Sequence, residues 1–209
     1  MFVELIETLR CPHRHEESQL IASALRTEAR HIVEGVLGCS ICGAKFPIAD
    51  GIARFGEPQP TPAETPSPEA AMRLAAFLEL TDARGFALLC GRWGAHVDLL
   101  LRLTETRIVL VNPPSQVPPD IAAGVVLTRD AIPFAAGAAR AVALDDGSGD
   151  LVRSAVRAVR TGGRVLGPAT LPLPYGVTEL ARDERMWVGE KNTASDSTPR
   201  LVEIRKAAR

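Results

Sequence analysis

Residues 39–52 read CSICGAKFPIADGI and combine three local signals. Cys39 and Cys42 have the C-x-x-C spacing that is typical of a metal-binding knuckle. Residues 45–48 favour a strand, and the Asp50-Gly51 pair is typical of a tight β-hairpin turn. The stretch therefore predicts a turn that carries two thiols, followed by a hairpin.

The residues before this stretch predict one helix and one further strand. Residues 3–9 are predicted to form a short helix that ends before Pro12, because the residue preceding a proline avoids the helical region. The apolar segment at 21–25 does not distinguish a helix from a strand. Residues 31–37 are predicted to form a strand that leads into the C-x-x-C turn.

A proline-rich stretch, EPQPTPAETPSP at 57–68, divides the chain and holds five of its 16 prolines. Such a composition predicts an extended, semi-rigid spacer. We therefore predict a small domain at 1–56, a linker at 57–69 and a larger domain at 70–209.

The first of these domains is small enough to need a metal or a disulfide to stabilise it. Four cysteines are too few for a disulfide framework in a chain of 209 residues, and they favour a reducing, cytoplasmic compartment. Cys11, Cys39 and Cys42, together with His15, provide four ligands for a tetrahedral structural zinc. His13 is the alternative fourth ligand. A C-x-x-C pair without metal and a redox C-x-x-C are the competing interpretations.

The second domain alternates predicted helices and strands, which is typical of an α/β fold with a mostly parallel sheet. The predicted helices are 70–80, 97–103 and 151–159. The predicted strands are 86–90, 108–111, 125–128, 141–144 and 164–166, with a terminal antiparallel pair at 186–189 and 201–204.

The motifs of the first domain resemble the zinc-ribbon family of methyltransferase activators. They are LIETLRCP at 5–12, CSIC at 39–42 and FPIADGI at 46–52. The resemblance covers nearly all of 1–56. It implies a domain that stabilises tRNA, rRNA or release-factor methyltransferases, as a separate subunit or fused ahead of a class I methyltransferase. The family's second cysteine would fall at Arg14, so either a histidine replaces it or the metal has been lost.

The second domain resembles class I S-adenosylmethionine-dependent methyltransferases, which implies a doubly wound sheet. The segment LLCGRWG at 88–94 resembles the family's glycine-rich turn, and RDAIPF at 129–134 resembles its D-A-x-x-L-P-F segment. The resemblance implies cofactor-binding roles for four residues: Gly91, Gly94, Asn112 and Asp130. Asn112 stands where the family has the acid that binds the ribose.

Two departures from the family pattern predict weak or absent binding of S-adenosylmethionine, and a third feature bears on catalysis. Arg92 or Trp93 would intrude on the cofactor where the turn should hold glycine. Asn112 lacks the charge of a carboxylate and makes a weaker hydrogen bond. Asp145-Asp146-Gly147 is predicted to be an acidic loop that faces solvent, so no catalytic residue is assigned.

Composition narrows the function further. A net charge of −1 and 4% aromatic residues argue against nucleic-acid binding, and no apolar run is long enough for a membrane helix. We predict a methyltransferase-like pseudoenzyme that acts as a protein-interaction or scaffold module. The linker is long enough to let the ribbon dock in cis on the second domain, in which case the second domain becomes the outward-facing element. The expected partner is another protein or a second copy of the chain. The alternative is an active S-adenosylmethionine-dependent methyltransferase with an atypical cofactor loop.

Overall fold

A computed structural model of the chain describes residues 1–81, 83–118 and 123–192. The first four strands are β1 (Leu20–Glu28), β2 (His31–Cys39), β3 (Lys45–Ala49) and β4 (Ile52–Arg54). The later strands are β5 (Phe86–Cys90), β6 (Arg107–Val111), β7 (Gly124–Leu127), β8 (Ala139–Ala143), β9 (Val159–Pro168), β10 (Val177–Arg182) and β11 (Met186–Lys191). The α-helices of the described residues are α1 (Pro68–Phe77), α2 (Val97–Leu103) and α3 (Val152–Ala158).

All these strands belong to one sheet, in the order β1-β2-β3-β4-β7-β6-β5-β8-β9-β11-β10. The strands from β4 to β9 run parallel, whereas both ends of the sheet are antiparallel. Consecutive strands run outward from β5 through β6 to β7, and the order then reverses at β8. This reversal is the switch point of a doubly wound fold, and ligands bind beside it at the carboxyl ends of the strands.

Strand β5 shows why this sheet is covered on both faces. All five of its residues are buried, as expected for a central parallel strand. Leu88 and Cys90 point into a core that includes α3, whereas Ala87 and Leu89 point into a second core that includes α1 and α2. The predicted α/β class and the doubly wound arrangement are therefore confirmed.

The first four strands form an antiparallel meander. Asp50 and Gly51 have φ values of +52° and +75°, so they form the predicted hairpin turn between β3 and β4. The ambiguous segment 21–25 lies in β1, whose residues are mostly exposed on both faces and therefore lack a two-residue period. Val3–Thr8 is a 3₁₀-helix rather than an α-helix, with Leu5 N–H donating to Phe2 O.

Two seams join this meander to the rest of the chain. Strand β4 pairs in parallel with β7, with Ala53 opposite Val126. A second seam lies on the face of the sheet, where Arg10 N–H donates to Pro133 O at 2.9 Å and Ala135 N–H donates to Thr8 O at 2.8 Å. The ribbon-like part is therefore docked in cis, as the length of the linker allowed.

One predicted helix needs correction, and one predicted strand pair is described only in part. The predicted helix 151–159 is a 3₁₀-helix (Asp146–Leu151) followed by α3, and Val159 already begins β9. The predicted strand 186–189 lies in β11, which pairs with β9 on one side and with β10 on the other. Residues 201–204 lie outside the described part of the chain. None of the described helices has the length and apolar character needed to span a bilayer.

Candidate metal and cofactor sites

Cys11, His15, Cys39 and Cys42 converge at one end of the meander. One ligand atom from each residue can be chosen so that all four lie within 4.8 Å of one another. The Cys11 and Cys42 sulfurs are 3.8 Å apart, and Cys39 Sγ lies 3.5 Å from His15 Nε2. A tetrahedron with metal–sulfur bonds of about 2.3 Å has edges of about 3.8 Å, so this donor set fits a structural zinc site.

His13 lies beside the same cluster without completing it. Its Nδ1 is 3.6 Å from Cys42 Sγ, and its ring packs edge-on against Phe46. The group of four that share one centre includes His15 instead. The structure therefore brings together the set Cys11, His15, Cys39 and Cys42, and Arg14 is exposed outside it.

The knuckle backbone tunes the thiols of this cluster. Backbone N–H groups of Cys42 and then Ile41 donate to Cys39 Sγ and lower the pKa of that thiol to about 6. Burial raises the pKa of the Cys11 thiol to about 12, and the neighbouring Cys39 and Cys42 add to this. A dication would favour the thiolate form of all three cysteines.

A cavity of about 450 Å³ opens at the carboxyl ends of β5, β6 and β8, beside the switch point. Two of the four candidate cofactor residues line it, Gly91 and Asn112. Its wall also includes Cys90, Arg129, Asp145 and Ser148. Burial raises the pKa of the Cys90 thiol, and the nearby Asp145 carboxylate raises it further, so Cys90 is a protonated thiol rather than a nucleophile.

Asp145 is the residue of this cavity that sequence reasoning missed. Instead of facing solvent, it is only 6% exposed, and only its neighbour Asp146 is exposed. Its Oδ2 accepts a hydrogen bond from Arg92 N–H at 3.0 Å, and its Oδ1 accepts one from Ser148 Oγ at 2.6 Å. The signal for this arrangement was an acid directly after a buried strand with serine three positions later, which is the spacing of a capping box.

The position of the Asp145 carboxylate requires a glycine at residue 91. Its φ is +57°, and a Cβ on this residue would lie 1.7 Å from Asp145 Oδ2. The glycine therefore admits an internal carboxylate where the resemblance predicted a cofactor.

Asn112 is also occupied by the protein itself. Its Nδ2 donates to Thr128 O at 2.8 Å, and its Oδ1 accepts from Thr128 N–H at 2.8 Å. The amide thus joins the ends of β6 and β7. Oδ1 and Nδ2 both serve this link, which leaves the amide one N–H and one lone pair for any further partner.

The other two candidate cofactor residues lie apart from the cavity. Gly94 allows a close approach of Pro113, whose Cβ would lie 2.9 Å from a Cβ on residue 94. Asp130 is exposed and lines a separate cavity beside Cys11 and His15, at the junction with the ribbon-like part.

The expected intrusion of Trp93 does not occur. Its indole packs into the core that includes α1 and α2, and its Nε1–H donates to Leu144 O at 2.8 Å. Arg92 does line the cavity, and its guanidinium lies over the Trp93 ring and 3.5 Å from Asp146 Oδ2.

The linker forms one wall of the same cavity. Its residues from Gln59 to Pro62 and Glu64 line the space. Thr61 Oγ1 donates to Asn112 O at 2.7 Å, and Ser67 N–H donates to His96 Nδ1 at 3.2 Å. The proline-rich stretch is therefore a strap across the carboxyl ends of the strands.

Comparison with known families bears on the ribbon-like part. Residues 3–51 match the Trm112p-like protein family. This match includes the metal cluster and the hairpin turn, and it leaves the second part of the chain unassigned. No curated protein matches the chain.

Solved structures similar to this chain include several methyltransferases and the [4+2]-cyclase SpnF. TrmN from Thermus thermophilus shares 15% identity over 59% of this chain and 48% of its own, with a TM-score of 0.43. Geranyl diphosphate C-methyltransferase from Streptomyces coelicolor A3(2) shares 18% identity over 47% of this chain and 44% of its own, with a TM-score of 0.40. The chain thus spans less than half the length of these two proteins.

Proposed function

We propose that this protein is a methyltransferase-like pseudoenzyme that acts through protein contacts, with a Trm112p-like part docked permanently on its own sheet. The observation that carries the proposal is the double hydrogen bond between the Asn112 amide and the Thr128 backbone. The side chain at the ribose-binding position serves the protein's own structure, and the Asp145 carboxylate occupies the space beside Gly91. Both features favour a cavity that has lost its cofactor.

The Trm112p-like part carries a structural zinc in this proposal. Cys11, His15, Cys39 and Cys42 would hold the ion and leave no open coordination position, so its contribution is to folding rather than to catalysis. All four cysteines of the chain are free, which suits a reducing compartment such as the cytoplasm.

Elemental analysis tests the zinc site directly. Protein purified without chelator should contain one zinc per chain. His15→Ala should lower the zinc content, whereas the matched change His13→Ala should leave it unchanged. The opposite result would make His13 the ligand, and zinc-free wild-type protein would refute the site.

The cis docking limits where a partner can bind. Activators of the resembled family contact methyltransferases through a strand edge, and here β4 already pairs with β7. The outer edges of the sheet are β1 and β10, and β1 exposes Ile21 by 66% and Leu25 by 78%. We therefore expect self-association or a stable complex with another protein, which light scattering of the purified protein and of its native complexes would detect. A monodisperse monomer without a copurifying protein would contradict the interaction role.

Calorimetric titration with S-adenosylmethionine and with its demethylated product tests the pseudoenzyme proposal. We expect no binding at micromolar concentrations, because a lost charge-assisted hydrogen bond costs about 1.5–3 kcal/mol, or about ten- to a hundredfold in affinity. Micromolar affinity for either compound would overturn the proposal.

An active methyltransferase is the second candidate, and the cavity of about 450 Å³ at the switch point favours it. In that case Gly91 and Asp145 would lie against the cofactor, which would supply the methyl group. Transfer of a labelled methyl group to any component of a native extract, abolished in Asp145→Asn, would support the enzyme.

A further inference from the structure

A smaller cavity of about 210 Å³ lies next to the main one, between α1, the turn after β5 and the start of β11. Its walls include the aromatic rings of Phe77 and Trp93 and the apolar side chains of Leu74 and Leu166. Arg92 and Glu64 line both cavities. The smaller cavity therefore combines apolar and aromatic walls with charged side chains beside the carboxyl ends of the strands.

Charged side chains, most of them arginines, line this cavity, and one of these arginines, Arg92, pairs with Asp146 at 3.5 Å. Three arginines from three separate parts of the fold surround it, Arg73, Arg92 and Arg185, and Glu64 is the one carboxylate among its lining residues. Arg73 pairs with Asp183 at 3.2 Å, whereas Arg185 makes no side-chain ion pair within the described residues. His96 also lines the cavity, and burial lowers its pKa, so it adds no charge at neutral pH.

One donor of this lining has no acceptor. Arg92 Nε is shielded from solvent and makes no hydrogen bond within the described part of the chain. A buried donor without an acceptor is costly, and native structures hold few of them. The stacking of the guanidinium on the Trp93 ring holds Arg92 between the two cavities. The Arg92 guanidinium therefore keeps hydrogen-bonding capacity that the described residues do not use.

We propose that the cavity binds a small molecule in which a flat, apolar ring carries a carboxylate or a phosphate group. The arginines bind the anionic group, and the ring packs between Phe77 and Trp93. Guanidinium groups suit both anions, because they present paired donors to two oxygens. This site is independent of methyl transfer and of the proposed interaction role.

Titration of the full-length protein with phenyl phosphate and with benzoate tests the site. We expect at least one of them to bind with a dissociation constant in the micromolar-to-millimolar range. Inorganic phosphate has the anionic group without the ring, and phenol has the ring without the anionic group. Each should bind at least about tenfold more weakly than the better ring-bearing probe. Comparison of the two ring-bearing probes identifies the anionic group.

Substitutions separate this site from nonspecific anion binding. Arg92→Lys keeps the charge but removes the Nε donor, and Arg185→Gln removes an exposed charge at the rim. Each substitution should raise the dissociation constant of the probe about tenfold or more, because the loss of one hydrogen bond to a charged group has an effect of this size. The matched control Arg160→Gln, at an exposed arginine that does not line the cavity, should bind as the wild type does.

Two results would overturn the proposal. One is that neither ring-bearing probe binds at a concentration of about 10 mM, because a dissociation constant above this value is too weak for a ligand site of this kind. The other is binding that neither Arg92→Lys nor Arg185→Gln weakens. Because Arg185 is exposed and remote from the core, its variant tests the site without a risk to folding.

Discussion

The carboxylate of Asp145 organises the turn that follows β5. It accepts from the Arg92 backbone N–H and from the Ser148 hydroxyl while buried against Gly91. A buried charge is tolerated only with such partners. The Asp145 carboxylate therefore stabilises the loop after β5, and it occupies space that a bound ligand would need.

We predict that Gly91→Ala destabilises the protein strongly. The new Cβ would lie 1.7 Å from Asp145 Oδ2, and the φ of +57° disfavours alanine. The free energy of unfolding in a denaturant titration should fall by about 3 kcal/mol or more. Gly149→Ala is the matched control, since a Cβ there meets no atom within 4 Å, and it should change stability by less than about 1 kcal/mol. Equal stability of the two variants would contradict the contact.

A second residue-scale prediction concerns His96 and pH. Burial lowers the pKa of this imidazole below its ordinary value of 6.5, and Nδ1 must stay unprotonated to accept from Ser67 N–H. The unfolded chain therefore binds the proton first. The contribution of neutral His96 to the free energy of unfolding is therefore fully present above pH 6.5. It is lost as the pH falls from 6.5 through the lower folded-state pKa of His96.

Denaturant titrations between about pH 5 and 8 measure this effect. His96→Asn keeps an acceptor near the Nδ1 position and cannot take up the proton, so its stability should fall less at acidic pH than that of the wild type. The difference between the two profiles isolates His96 from the cysteines and from Glu64 and Arg92 beside it. Parallel profiles would contradict the prediction.

At the scale of single elements, Lys191 connects the end of β11 to the end of α3. Its Nζ is buried and donates to Val159 O at 2.8 Å and to Arg157 O at 3.1 Å. We predict that Lys191→Met lowers the free energy of unfolding by about 2–3 kcal/mol, because these carbonyls lose a charged donor. The matched change at the exposed Lys45 should cost less than about 0.5 kcal/mol, and a similar loss in both variants would refute the role.

The elements also show which features a sequence predicts and why. Buried strands such as β5 were predicted, because a continuous apolar run of this length fits a parallel sheet. The Asp50-Gly51 turn was predicted because its chemistry is local. Strand β1 stayed ambiguous, since exposure on both faces removes the two-residue period. Strand β10 was missed for the same reason, since only its first residue is buried.

For the sites, spacing predicted the candidate metal cluster but not the surroundings of the candidate cofactor residues. The short separation of Cys39 and Cys42 and the small size of the first domain pointed to a metal site, whereas His13 and His15 stayed open as the fourth ligand. The engagement of Asn112 by Thr128 depends on the meeting of β6 and β7, which only the folded sheet provides. The same holds for Asp145 and for the strap that the linker forms.

At the scale of the whole molecule, the shared sheet and core should make the chain unfold as one unit. Leu9 lies in the ribbon-like part, is fully buried and forms a bridge to Phe134. We predict that Leu9→Ala lowers the stability reported by tryptophan fluorescence by about 2–5 kcal/mol, although Trp93 and Trp187 both lie in the second part. Leu25→Ala, on the exposed edge strand, should cost less than about 1 kcal/mol, and a tryptophan transition unaffected by Leu9→Ala would show that the two parts unfold separately.

Removal of the proposed zinc should also destabilise the second part of the chain, although the cysteine and histidine cluster lies in the ribbon-like part. Zinc binding in small domains contributes on the order of 10 kcal/mol of apparent free energy, and much of this becomes folding energy. Because β4 is a neighbour of β7 and the face seam holds Leu9, loss of the metal should also weaken the second part. A strong chelator should therefore lower the midpoint of the tryptophan unfolding transition in the wild type, and Cys39→Ser should be less stable from the start and unresponsive to the chelator. The contrary result is a ribbon-like part that unfolds on chelation while the tryptophan transition keeps its midpoint. In that case the contacts at the two seams would not stabilise the second part, and the chain would not unfold as a single cooperative unit.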